Sequence, residues 1–168
     1  MTDRDQRLAQ AVQLRERGKR DAARDQLVAL AAEFPADAEV AYQTAWVHDT
    51  LGLEEEAVPY YRRAIELPGL SAGDRAGALL GLGSTYRVLG RYPEAVETLT
   101  GAMKEFPDDG AIKAFLAMAL FNTGRHHDAM ELLLTVLAAT STDPAIARYR
   151  PAIEHYARDL HETVSAAP

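Results

Sequence analysis

Four glycines limit what this chain can fold into more than any other feature. Gly18, Gly52, Gly90 and Gly124 are spaced by 34, 38 and 34 residues. Five residues after each stands an alanine, at Ala23, Ala57, Ala95 and Ala129, and seven before each a small residue, at Ala11, Ala45, Gly83 and Ala117. Three columns thus hold one register through four copies, and a period of this length marks a stack of similar units. Each column has a physical reason. A glycine that follows an apolar-periodic run can take the left-handed conformation that ends a helix. A small residue at one point on each of two antiparallel helices lets their backbones approach closely. Two helices of about 14 residues joined by short turns fill such a period. An all-α chain is therefore expected.

Prolines mark the helix ends. Pro93 suits the first turn of a second helix, where its missing N–H costs little, and Pro35 and Pro107 close two such helices. The four additional residues between copies two and three fall around Pro68–Arg75 and amount to one helical turn. With Ser71 as N-cap and Asp74 near N3, they predict a first helix in copy three that starts one turn early, not a domain boundary.

The third copy, with Leu82, Gly83, Tyr86, Gly90, Tyr92, Ala95, Ala102 and Pro107, resembles the tetratricopeptide repeat family. The second supplies Ala45, Gly52, Ala57, Tyr61 and Ala64. Copies one and four depart further, with Gln10 and Leu14 where the family has Leu and an aromatic, and no closing proline in copy four. The chain is also similar to the small stand-alone bacterial proteins of this family. The resemblance implies a right-handed α-solenoid of four helix-turn-helix repeats, over residues 4–37, 38–71, 76–109 and 110–143, in a single domain. A capping helix over residues 144–164 follows, opened by Asp143 as N-cap and Pro144. Ile146, Tyr149, Ile153, Tyr156, Leu160 and Val164 give it an amphipathic stripe suited to covering the last repeat. Pro151 should kink or split it, and Ser165–Pro168 should fray.

Composition narrows the function. The 168 residues are 48% apolar and 26% charged, which suits one folded domain with a substantial core. The net charge of −7 and the lack of any Lys/Arg run longer than two argue against nucleic acid as a partner. The chain has no cysteine, which excludes thiolate chemistry and disulfides. No stretch approaches the roughly 18 apolar residues of a membrane span, and the N-terminus lacks the apolar core of a secretory signal. A cytoplasmic protein is expected.

Nothing in the sequence assembles a catalytic constellation, and no cofactor or metal is expected. His126 and His127 are adjacent, so they point about 100° apart on a helix. His155 and His161 are not on one face. His48 occupies a core column and reads as a buried, hydrogen-bonded histidine. Glu54–Glu56 and Asp108–Asp109 fall at helix starts, where acids complement the macrodipole or cap. Gly81, Gly83 and Gly90 make no phosphate loop, since no strand precedes them.

By resemblance to the family, the first helices line a concave groove, with inward positions thirteen, ten, six and three residues before each repeat glycine. These are Asp5, Leu8, Val12 and Arg15; Glu39, Tyr42, Trp46 and Asp49; Gly77, Leu80, Ser84 and Arg87; and Ala111, Ala114, Met118 and Phe121. An apolar centre of Leu8, Val12, Tyr42, Trp46, Leu80, Met118 and Phe121, with Ser84 among them, would be edged by Asp5, Arg15, Asp49 and Arg87. That pattern suits a polypeptide-binding surface for an apolar or amphipathic segment. The alternative is a self-associating homodimeric scaffold, with the groove or the last helix buried between copies. Chaperone-cofactor members of the family grip a terminal carboxylate with Lys, Asn, Asn, Lys and Arg. The matching positions here are Leu8, Val12, Gln43, Gly77 and Gly81, so that ligand is not expected.

Overall fold

The computed structural model describes residues 2–163, and among these the chain is built of nine α-helices and no strand. They are α1 (Asp3–Glu16), α2 (Arg20–Glu33), α3 (Ala38–Asp49), α4 (Glu54–Glu66), α5 (Ala72–Val88), α6 (Tyr92–Glu105), α7 (Gly110–Asn122), α8 (His126–Thr140) and α9 (Pro144–Ala157). Each helix packs on its neighbours in sequence, and α1, α3, α5 and α7 also touch in order, forming one continuous inner layer. The result is a solenoid of four helix pairs closed by α9.

The repeat glycines end the first helix of every pair in the same way. Their φ angles are 77°, 73°, 74° and 79° at Gly18, Gly52, Gly90 and Gly124. The next residue's N–H then reaches back to an orphan carbonyl near the helix end. Lys19 donates to Leu14, Leu53 to His48, Arg91 to Tyr86 and Arg125 to Leu120, at 2.8–3.0 Å. Side chains set all four first-helix starts. Thr2, Asp37, Ser71 and Asp109 accept N–H bonds at the heads of α1, α3, α5 and α7. Ser71 starts α5 a turn early, and α5 is 17 residues long against 12 to 14 for the other first helices.

The small-residue columns lie where paired helices meet. Ala11, Ala23, Ala45, Ala57 and Ala95 are fully buried, and Ala117 and Ala129 nearly so. At Gly83 a Cβ would run into the Leu99 side chain. Ala95→Leu is therefore expected to overpack the α5–α6 contact and cost about 1–3 kcal/mol. Thermal denaturation checks this, and a variant melting within a degree of the parent would place Ala95 outside the packed seam.

The end of the chain differs from expectation. Pro151 neither splits α9 nor stops it, and the helix runs unbroken from Pro144 to Ala157. Pro151 and Ala147, whose carbonyl loses its partner, are both exposed, so water can satisfy the freed group. The helix nevertheless stops short of residue 164. Asp159 turns the chain by accepting from the His161 N–H at 2.9 Å, which competes with further helix. Val164 and the tail Ser165–Pro168 lie outside the described residues. The covering face is also narrower than expected. Ala157 is buried and Ile146 and Ile153 are half-buried, but Tyr149, Tyr156 and Leu160 are 61%, 54% and 43% exposed. Helix α9 packs on α8 and does not continue the inner layer beside α7.

Candidate functional site

The inner face changes character along its length. At the N-terminal end it is filled from within. Leu8 and Tyr42 are core residues, Val12 is half-buried, and Arg15 is only 9% exposed. Arg15 is thus not a charge on the groove's edge. Its guanidinium lies 3.7 Å from the centre of the Trp46 ring and donates to the Gln43 side-chain oxygen. Burial lowers its pKa from the ordinary arginine value, though the group stays charged at neutral pH. Trp46 stacks on Tyr42 with ring centres 5.7 Å apart, yet keeps 40% of its surface exposed.

Between α3 and α5 the face opens into a pocket of about 310 Å³. Its walls include Trp46, Tyr42, Leu80, Ser84 and Phe115, and Asp49 and Tyr61 lie at its base. Two glycines make this pocket possible. A Cβ at Gly77 would strike the Tyr42 hydroxyl, and one at Gly81 would strike the Tyr61 ring. The positions that lack the basic side chains of a carboxylate clamp are therefore where the hydroxyl ends of two tyrosines come up against α5.

Asp49, also expected on the edge, is half-buried. It accepts from the Tyr61 hydroxyl at 3.1 Å. Burial holds its carboxyl above the usual range, with Glu54 adding repulsion and the hydroxyls of Tyr61 and Thr85 opposing the shift. A carboxyl with a raised folded-state pKa binds its proton more tightly in the fold than in the unfolded chain. Its ionised form therefore costs stability above the folded pKa; the cost shrinks as pH falls through the folded pKa and is gone below the unfolded value of about 3.9. Asp49→Asn keeps an acceptor for Tyr61. It should raise Tm at pH 7, with the two proteins converging near about pH 3. A lower Tm for the variant at pH 7 would contradict this reading of Asp49.

The C-terminal end of the face is the most open. Met118 and Phe121 on α7 are 40% and 60% exposed, and Met130 and Leu133 on α8 are 46% and 41% exposed. These four line a cleft of about 330 Å³ with Arg87 at its border. His126 flanks it with its ring 4.6 Å from Phe121. Sequence reasoning placed Met118 and Phe121 here but missed Met130, Leu133 and His126, which come from a second helix.

Several other polar groups are committed to structure. His48 is buried and donates from Nδ1 to the Thr44 carbonyl at 2.7 Å. A larger cleft, about 590 Å³, follows the α2–α3 turn, where Arg4 is tied to Asp37 and Glu39 at 2.7 and 2.8 Å. Among the described residues, metal-ligand spacing occurs at His127, Asp128 and Glu131, with ligand atoms within 4.8 Å of one another. Asp128 there already holds Arg125 at 2.6 Å.

The family model described as "Tetratrico peptide repeat" matches residues 38–160. The chain belongs to the tetratricopeptide repeat family. Its first helix pair lies outside that match, yet it carries the same glycine cap at Gly18 as the tetratricopeptide repeats that follow. Comparison with curated proteins gives no match. Among solved structures, a MamA mutant aligns with TM-score 0.66 and 22% identity, covering 78% of this chain and 74% of that one. MamA from AMB-1 aligns at 0.70 and 21%, covering 87% and 78%. PilF of Pseudomonas aeruginosa aligns at 0.68 and 21%, covering 93% and 69%. At these identities the likeness is one of fold, an all-helical tetratricopeptide repeat solenoid. That fold generally mediates protein–protein interaction. Among the described residues no helix is long and apolar enough to cross a membrane.

Proposed function

We propose that this protein is a non-enzymatic interaction module whose concave face binds an apolar or amphipathic segment of another polypeptide. The observation that carries the reading is the open apolar cleft of Met118, Phe121, Met130 and Leu133, continued toward Trp46 along the inner layer. Contiguous exposed apolar side chains are uncommon on monomers and mark interaction sites. A groove between helices suits a helix that presents apolar anchors at i, i+3/i+4 and i+7. Selection of a displayed random-peptide library on the immobilised protein tests it. Binders rich in apolar residues at helical spacing, lost on Phe121→Ala, are expected. Binders indifferent to that substitution would place the interaction elsewhere.

A second reading, self-association through α9, is favoured by the exposure of Tyr149 and Tyr156 on that helix and of Leu160 just beyond it. Light scattering across a concentration series checks it. A dimer abolished by Tyr149→Ser with Tyr156→Ser supports it, and a monomer at every concentration removes it.

A further inference from the structure

Asp49 is a carboxylate set among aromatic rings without a cation. Among the described residues no basic side-chain nitrogen lies within 4.0 Å of its carboxylate oxygens. Its side-chain partner is a neutral phenol, Tyr61, at 3.1 Å. The arginines at matching positions in the copies on either side make no ion pair with it, and the Arg87 Nε is itself buried without a hydrogen-bond partner. Arg15 is held by Gln43 and the Trp46 ring, and Arg87 borders the Phe121 cleft. A half-buried carboxylate gains most when a charged donor reaches it. Here the space for one exists, a pocket of about 310 Å³ open to the groove.

Given the groove reading above, we infer that this pocket receives the cationic head of a lysine or arginine side chain carried by the partner segment, paired with the Asp49 carboxylate. The walls match such a side chain along its length. Leu80 and Phe115 offer apolar surface to its methylene stem, which buries readily while the charge seeks a polar contact. Tyr42 in the wall adds aromatic surface that attracts a cation. Arg15 shows the same chemistry inside the fold, lying 3.7 Å from the Trp46 ring centre. The net charge of −7 favours a cationic partner in the encounter. The occupant is then an amphipathic segment with apolar anchors for the Phe121 cleft and one basic residue for the Asp49 pocket.

The test takes peptides selected on the protein from a random dodecapeptide library. Each Lys or Arg in them is replaced by norleucine, which keeps a stem and removes the charge. Affinities are measured against the parent protein and Asp49→Asn, with Tm confirming that the variant is folded. One basic residue per peptide should lose about tenfold or more on the parent and less than about twofold on the variant, since charge pairs at interfaces couple this strongly. Peptides whose norleucine forms bind the parent equally well overturn the inference and leave the groove reading standing. An equal loss on parent and variant also overturns it, because the cation is then read elsewhere. A protein that selects no peptide overturns both.

Discussion

Arg15→Glu is expected to destabilise the fold by about 3 kcal/mol or more, the usual cost of leaving a charge buried and unpaired. For a domain of this size that is a fall in Tm of roughly 6–12 °C. Arg15 is 9% exposed, lies over Trp46 and donates to Gln43. A glutamate there would face the phenols of Tyr42 and Tyr61, whose own pKa values burial already raises. Gln43 can turn its amide to donate one N–H, but the carboxylate remains desolvated and the aromatic contact is lost. Thermal denaturation at low and at about 0.5 M salt separates this from a surface effect, because exposed charges are screened and buried ones much less so. A Tm close to the parent, or one restored by salt, would return Arg15 to the surface.

Trp46→Ala is expected to weaken partner binding by about 2–4 kcal/mol, as for a tryptophan at the centre of an interface. Its ring is backed by Tyr42 on one side and Arg15 close by, so little freedom remains to be lost on binding. The same ring is 40% exposed, so its removal should leave far-UV circular dichroism nearly unchanged. Arg15 keeps its bond to Gln43 in the variant. Titration of a selected peptide against parent and variant by calorimetry measures the difference. Equal affinity, or an unfolded variant, would show that Trp46 serves the fold instead of the partner.

Much of the architecture was legible in the sequence because backbone geometry demands particular residues at particular points. Only glycine enters φ near +75° without strain, so Gly18, Gly52, Gly90 and Gly124 declare four helix ends. Close helix contact admits only small side chains, so the alanine columns declare the pairing. The groove was legible in direction but not in depth. Arg15, Asp49 and Arg87 share one column, and position alone assigned all three to an exposed edge. Their burial depends on what neighbouring copies place beside them, with Gln43 and Trp46 covering Arg15 and Tyr61 underlying Asp49.

The C-terminal cleft was hidden for a different reason. Helix α8 contains Leu132, Leu133 and Leu134 in succession and is apolar nearly all round, so periodicity does not say which face stays bare. Leu132 packs into the core, while Met130 and Leu133 remain open because α9 lies on α8 without flanking α7. Gly77 and Gly81 read in the sequence as missing clamp residues, and Gly77 also as an inward groove position, but neither as a seat for a side chain. Their role in seating Tyr42 and Tyr61 appears once three helices are brought together.

The methionines allow the most direct test of where a partner sits. Met118 and Met130 line the cleft, whereas Met103, on α6, is half-buried and packed against the core. With the ε-methyl groups labelled with carbon-13 and assigned by single Met→Leu substitutions, a selected peptide is added while their resonances are followed. The account predicts saturable shifts at Met118 and Met130 with Met103 unmoved. A peptide that binds with comparable affinity yet leaves Met118 and Met130 in place, or shifts Met103 alone, would contradict it.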